Sequence, residues 1–292
     1  MPRAGIVTVA GKPNVGKSTL LNRIVGQKLS ITSPKPQSTR DRIVGIHTTD
    51  NAQMVILDTP GLLNPKYPLQ QAMRSTAVRA LEEADVIIYL ADATEGLPPS
   101  LSEAAELSAP PQAPVIVALN KSDALNSVRR EELASNDGVV LVSALTGDGV
   151  PDLMARVARL LPESPFLYPE DEISTQPVRF FVAELVRETV LEQLHDEVPY
   201  SVAVQVEEYR EGSSPLYIRA VIYVERESQK AIIVGGKGAR IKSLGEAARK
   251  KIETLVGEKV YLDLWVKVLA NWRKNPGSLS RFGYQLATGK GK

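Results

Sequence analysis

Gly11-Lys12-Pro13-Asn14-Val15-Gly16-Lys17-Ser18 is the stretch whose reading decides the fold. Its spacing, G-x-x-x-x-G-K-[ST], is that of a loop that cradles the phosphates of a nucleoside triphosphate. Gly11 and Gly16 let the backbone turn so that successive amides point inward at phosphate oxygens. Lys17 sets an ammonium against the β- and γ-phosphates, and the Ser18 hydroxyl can ligate Mg²⁺. A helix starting near Lys17 aims its positive N-terminal end at the same anion. The flanks suit this reading. Ile6-Val7-Thr8-Val9-Ala10 reads as a buried strand, and Thr19-Leu20-Leu21-Asn22-Arg23-Ile24-Val25 as a helix.

Outward from the loop, strands and helices alternate. Residues 43–49 and 53–57 read as two strands joined by a turn at Asp50-Asn51, followed by strands at 86–91, 115–119 and 139–142. Helical patterns fall at 69–84, 101–107 and 151–161. This order implies an α/β unit with a mostly parallel, doubly wound sheet covered on both faces. Ligands on such sheets bind at the carboxyl ends of the strands. Residues 29–42 are polar and interrupted by Pro34 and Pro36, the pattern of a mobile loop.

Short polar motifs follow three of these strands. Asp58-Thr59-Pro60-Gly61 comes after the second: Asp58 can hold Mg²⁺ through water, and the Gly61 amide can meet a γ-phosphate. Standing alone it would equally suit a surface aspartate and a turn glycine. Asn120-Lys121-Ser122-Asp123 follows the strand at 115–119. The Asp123 carboxylate can accept two N–H groups from guanine that adenine does not offer, and an unmatched buried polar group costs on the order of 1–3 kcal/mol. Ser143-Ala144-Leu145 follows the strand at 139–142, where backbone groups could reach the guanine oxygen.

The formal charge of +1 hides an asymmetry. Residues 1–225 carry 20 Lys/Arg against 29 Asp/Glu, and residues 226–292 carry 15 against 5. A basic end on an acidic body suggests a polyanionic partner for that end, or else a solvated basic surface. There is no cysteine, which excludes disulfides, thiolate metal sites and cysteine nucleophiles, and is compatible with a reducing cytosol. With His47 and His195 alone, a histidine metal cluster is implausible. Neither a signal peptide nor an apolar run of about 18 residues is present, so a soluble chain is expected.

The stretch Pro162-Glu163-Ser164-Pro165-Phe166-Leu167-Tyr168-Pro169-Glu170-Asp171-Glu172 reads as a semi-stiff connector. Beyond it the rhythm changes. Residues 178–194 are helical, with Phe181, Leu185, Val186, Val190 and Leu194 on one stripe. Residues 200–206 and 217–224 alternate as a strand pair across Glu211-Gly212-Ser213-Ser214-Pro215. A short helix, Gly235-Gly236-Lys237-Gly238, a basic helix at 239–256 and a strand at 260–267 complete an α-β-β-α-α-β order. That order resembles a type II KH domain, an α+β fold whose G-x-x-G loop clamps about four single-stranded nucleotides. Ile232, Ile233 and Ile241 would wall a groove for unstacked bases. Ala239, Arg240, Lys242, Arg273 and Lys274 would add backbone and cationic contacts. A helix-turn-helix with glycines for tight packing is the alternative. In the tail, Trp272, Phe282 and Tyr284 should pack on the domain with Arg273 and Lys274 exposed, and residues 289–292 should lack fixed structure.

The four motifs in this order resemble the signature of translation-factor-class GTPases. Carried onto this chain, the resemblance implies that Gly11 to Thr19, Asp58 to Leu62, Asn120, Lys121, Asp123 and Ser143 to Leu145 hold GTP or GDP. It implies that Ser18, Thr39 and Asp58 serve Mg²⁺, and that Lys17, Thr39, Gly61 and Asn14 serve hydrolysis. With the second domain, nearly the whole chain resembles the Era family of bacterial ribosome-assembly GTPases. Further matches are the stretch 34–42, Tyr168-Pro169-Glu170-Asp171, Val198-Pro199-Tyr200-Ser201 and Asn271-Trp272-Arg273. The family binds the 3′ end of 16S rRNA, assists small-subunit maturation and can associate peripherally with the membrane. A cytoplasmic monomer is implied. The expected divisions are a GTPase domain at 1–165, a linker at 166–177, a KH domain at 178–270 and a basic tail at 271–292.

Two residues depart from family patterns. Leu62 stands where Ras-type enzymes carry the glutamine that orients the attacking water. Ser38 stands where many relatives have threonine, which leaves Thr39 as the Mg²⁺ contact. Asn14 resembles the asparagine that helps some bacterial relatives bind K⁺, a cation that would act as an arginine finger does. GTP is expected to order residues 29–42 and 61–68 and so to change RNA affinity. The rival readings are a tRNA-modification GTPase relative, which should carry a folate-binding domain, and an RNA-binding scaffold with a nearly inert GTPase.

Overall fold

The computed structural model describes residues 1–286. Residues 289–292, expected to lack fixed structure, lie outside that range. Two compact units are present: Met1–Lys66 with Gln70–Thr175, and Tyr67–Leu69 with the chain from Gln176 onward.

The first unit is built on strand β1 (Arg3–Ala10). Val7, Thr8, Val9 and Ala10 are all at most 1% exposed, as befits a strand covered on both faces. Helix α1 (Lys17–Val25) follows the phosphate loop. An antiparallel pair, β2 (Ile43–Thr48) and β3 (Ala52–Asp58), comes next, then α2 (Pro68–Glu82), β4 (Val86–Asp92), α3 (Leu101–Ala104), β5 (Val115–Asn120), α4 (Ser127–Ala134), β6 (Val139–Leu141) and α5 (Val150–Leu160). The sheet order is β2-β3-β1-β4-β5-β6. All neighbouring pairs are parallel except β2–β3. The parallel strands therefore deliver residues 11, 58, 92, 120 and 143 to one edge.

Several local expectations need correction. Helix α3 is a single turn, because Glu106 adopts a left-handed φ of 48° and ends it. Helix α4 went unread because only Leu133 of its eight residues is buried, which leaves no apolar stripe; Asn126 caps it by accepting from the Arg129 amide. Residues 29–42 are not a loose loop: Leu29, Ser30, Ile31, Thr39 and Arg40 are buried. The connector is no free spacer at its start. The buried Gln53 amide accepts from the Leu167 and Tyr168 amides and donates to the Tyr168 carbonyl, because a buried side-chain amide must find partners. The Ile46 amide donates to the Ile173 carbonyl and the Ser174 hydroxyl to the Val44 carbonyl, so this stretch belongs to the first unit.

The second unit runs α6 (Val178–Gln193), β7 (Ala203–Arg210), β8 (Leu216–Val224), α7 (Glu227–Val234), α8 (Ala239–Val256), β9 (Val260–Val268) and α9 (Pro276–Arg281). Strand β7 starts after a 3₁₀ turn at Pro199–Ser201, later than its alternation suggested, and runs on to Arg210. In the sheet β7-β8-β9 the first pair is antiparallel and the second parallel. One sheet face carries the core. Val182, Val186 and Val190 of α6 and Leu244, Ala248 and Ile252 of α8 pack on Ile218, Ala220 and Ile222 of β8. In the tail, the Trp272 indole is fully buried and donates Nε1–H to the Ser201 carbonyl at 2.7 Å. It meets Phe282 edge-on with ring centroids 5.2 Å apart.

This burial makes Trp272 a structural anchor of the second unit. Trp272→Ala should lower its unfolding free energy by about 3–5 kcal/mol, read as a lower urea midpoint. A loss of unfolding free energy under about 1 kcal/mol would contradict the anchoring role.

Candidate functional site

The phosphate loop leaves β1 at Ala10 and enters α1 at Gly16, whose φ is 101°. No side chain caps α1, so its first amides remain free for a ligand. A cleft of about 310 Å³ opens here, lined by Pro13, Asn14, Gly16, Lys17, Ser18 and Thr19, by Ile31, Thr32, Ser33 and Pro34, by Gln37, Ser38 and Thr39, and by Gly61. Lys17 is 6% exposed, and its ammonium donates to the Gly11 and Lys12 carbonyls at 3.1 and 2.9 Å.

Ser18, Thr39 and Asp58 come together beneath this loop. The Ser18 hydroxyl donates to Asp58 Oδ2 at 2.7 Å, and Ser18 and Thr39 oxygens are 2.9 Å apart. Ser30 also donates to Asp58 Oδ2, at 2.9 Å. Asp58 Oδ1 is buried with no hydrogen-bond partner. Burial pushes the Asp58 carboxyl up, opposed by Lys17 and the three hydroxyls. Burial likewise pulls the Lys17 ammonium down to about 8, opposed by Asp58. Both charges are thus short of counter-charge, which a phosphate and a divalent cation would supply. Among the described residues no three His, Cys, Asp or Glu side chains cluster. One carboxylate with hydroxyls is instead the sparse oxygen set that Mg²⁺ takes alongside phosphates. The free Oδ1 and the converging hydroxyls fit that ion.

Gly61 lies against the loop: a Cβ there would sit 2.7 Å from the Pro13 ring and backbone. The Thr59 hydroxyl donates to the Val9 carbonyl, and Pro60 is buried. The Leu62 amide donates to the Gly11 carbonyl at 3.0 Å, while its side chain packs in an apolar cluster with Ala77, Leu81 and Tyr89. Asn14, at φ 64°, donates its side-chain amide to the Pro34 carbonyl at 2.8 Å.

The Asn120–Asp123 and Ser143–Leu145 motifs share the same edge. Asn120 donates to the Val15 carbonyl at 2.7 Å and accepts from the Ala144 amide at 2.8 Å. Asp123 is exposed and accepts from the Ser143 hydroxyl at 2.5 Å. Lys121, in a left-handed conformation, pairs with Asp92 at 2.6 Å. Arg23 of α1 donates to the Ala144 and Leu145 carbonyls. Lys12 is exposed and pairs with Glu95 at 3.2 Å. Sequence reasoning missed Ser30, Asn22, Arg23 and Asp92. Asp92 carried a usable signal, as a carboxylate at the carboxyl end of a buried parallel strand.

On the second unit, Gly235, Lys237 and Gly238 all take positive φ between α7 and α8. A Cβ on Gly236 or Gly238 would meet nothing within 4 Å, so this turn is open to solvent. Lys237, Ala239, Arg240 and Lys242 are exposed, and Arg240 donates to the Ile232 carbonyl at 2.7 Å. Two expected RNA contacts need correction. Ile233 is fully buried in the unit's core, so it walls no groove. Arg273 is not exposed: its guanidinium is held by the Glu225 carboxylate at the end of β8. Lys274 is exposed.

The family model described as a 50S ribosome-binding GTPase matches residues 6–121, and the KH domain model matches residues 197–273. The chain is 42% identical to the GTPase Era of Carboxydothermus hydrogenoformans over 291 residues, covering 97% of this chain and 98% of that protein. It is 45% identical to the GTPase Era of Geotalea daltonii over 292 residues, again covering 97% and 98%. Among solved structures, Era in complex with MgGDPNP and nucleotides 1506–1542 of 16S ribosomal RNA matches with a TM-score of 0.92 at 41% identity, covering 98% of this chain and 100% of that one. An Aquifex aeolicus Era variant bound to GDP and AlF₄⁻ matches with a TM-score of 0.90 at 41% identity, covering 97% and 100%. With relatives this similar over 97% of its length, the chain belongs to the Era family of GTPases.

Proposed function

We propose that this GTPase binds the 3′ end of 16S rRNA through its second unit, in a manner set by the bound nucleotide, and acts in assembly of the small ribosomal subunit. The convergence of Ser18, Thr39 and Asp58 beside Lys17 carries the nucleotide half of the reading. Mg²⁺, when bound, supplies positive charge to the phosphate oxygens. Ser18, Thr39 and Asp58 would hold it, Lys17 would sit against the β- and γ-phosphates, and the Gly61 amide would meet the γ-phosphate. Asp123, oriented by Ser143, would select guanine. The RNA half is supported by the open, positively charged turn at Gly235-Gly236-Lys237-Gly238 and by a 41%-identical relative crystallised with 16S rRNA. Small-subunit assembly as the setting, a cytoplasmic location and peripheral membrane association are supported by the family resemblance. No helix among the described residues is long and apolar enough to cross a membrane.

Leu62 cannot orient water, because its side chain is packed in the apolar cluster. Positive charge supplied from elsewhere would compensate. Asn14 and the Pro34 carbonyl both line the cleft, and amide and carbonyl oxygens are the donors K⁺ takes. This supports K⁺ as the hydrolytic activator.

Asp123→Asn should weaken GTP by roughly 10- to 100-fold and shift preference toward xanthosine triphosphate, measured by competition binding. Unchanged guanine preference would remove Asp123 from base selection. Turnover in KCl should exceed that in NaCl by about tenfold or more, and Asn14→Ala should abolish the difference. Equal rates in the two salts would end the K⁺ reading. Gly236→Asp with Gly238→Asp should lose roughly tenfold or more in affinity for an oligonucleotide of the 16S 3′ end, because carboxylates would face phosphates. Aspartate tolerates positive φ better than most residues, so folding should survive. For the unsubstituted chain, affinity in the presence of a GTP analogue should differ from that with GDP; equal affinities would leave no nucleotide control.

A further inference from the structure

Three hydroxyls reach Asp58 Oδ2, and they are not equivalent. Ser18 and Thr39 line the cleft and lie 2.9 Å from each other, so both can turn to a cation. Ser30 is 1% exposed and does not line the cleft. Its backbone is fixed by one side chain of α1. Asn22 Oδ1 accepts from the Leu29 and Ser30 amides at 2.9 and 2.8 Å, and Asn22 Nδ2 donates to the Ser30 carbonyl at 2.8 Å. Leu29 and Ile31 on either side are buried at 4% exposure each. The Ser30 backbone is therefore tied to α1, which sets its hydroxyl beside Asp58.

An aspartate carboxylate turns easily about its last bond, where the torsion is broad. A fixed donor on one oxygen decides which oxygen the other side receives. Here Oδ2 takes the Ser30 hydroxyl together with those of Ser18 and Thr39, so the Ser30 bond fixes the rotation of the carboxylate on the side where those two hydroxyls converge. Once Ser18 and Thr39 turn to a cation, Ser30 is the one hydroxyl of the three left on Oδ2. Hydrogen bonds to ionised acceptors are the strong kind, and partners behind a metal ligand commonly change metal affinity by about 10- to 100-fold.

We infer that Asn22 and Ser30 form a positioning pair that orients the Asp58 carboxylate toward Mg²⁺, so that nucleotide retention depends on a serine outside all four nucleotide motifs. This rests on the Mg²⁺-nucleotide reading of the cleft.

The test follows release of a fluorescent GDP analogue from the full chain across a Mg²⁺ titration, for the unsubstituted protein, S30A and N22A. Both variants should raise the Mg²⁺ concentration that gives half-maximal retention by roughly tenfold. In excess EDTA their release rates should stay within about twofold of the unsubstituted chain. An S30A midpoint within about twofold of the original overturns the inference, as does equal acceleration with and without Mg²⁺, which would make Ser30 a packing residue only. Should S30A not fold, N22A carries the same test with the same criteria. If the unsubstituted chain itself shows no Mg²⁺-dependent retention, the reading of the cleft fails, and with it the basis of the pair.

Discussion

The buried pair of Lys17 and Asp58 is the constraint on which the first unit depends. Asp58 is fully buried and Lys17 nearly so. Removing a charge from water costs several kcal/mol, which an ion pair recovers only when the remaining donors and acceptors are matched. The fold matches them in part: two loop carbonyls for Lys17 and three hydroxyls for Asp58. One carboxylate oxygen is left over. A polyphosphate with its divalent cation completes both halves at once. The site thus offers a donor side and an acceptor side together.

The Asn120–Asp123 motif is tied to the phosphate loop through Asn120. Its amide spans the Val15 carbonyl on one side and the Ala144 amide on the other. That contact sets the demand at Gly16, where a Cβ would stand 2.2 Å from Asn120 Nδ2. The positive φ there would strain any L side chain as well. Two motifs more than a hundred residues apart therefore constrain each other. Arg23 adds a further tie, from α1 to the carbonyls of residues 144 and 145.

Much of this was legible in the sequence because strand ends and motifs coincide. Gly11, Asp58, Asn120 and Ser143 each follow a run of buried residues, and a parallel sheet brings such positions to one edge. What was not legible depends on contacts between distant segments. Ser30 looks like any polar residue before two prolines until Asn22 and Asp58 are seen around it. Ile233 and Ile232 read alike in sequence, yet one is in the core and the other 41% exposed, because neighbours on a helix point about 100° apart and α7 packs on α8 and β9 through one face. Gln53, at 0% exposure, gave no sign that it would bind residues 167 and 168.

The same reasoning revises the charge asymmetry. Counted along the sequence, residues 226–292 form one strongly basic block. In the fold, several of those cations are matched within the second unit: Lys251 by Glu188 and Glu192, Lys267 by Glu207, and Arg273 by Glu225. Their fields are largely spent on these carboxylates. Among the described residues no carboxylate pairs with Lys237 or Lys242, and Arg240 donates to a carbonyl, which leaves its charge uncompensated. Positive charge and open backbone therefore coincide at the glycine turn and the first turn of α8.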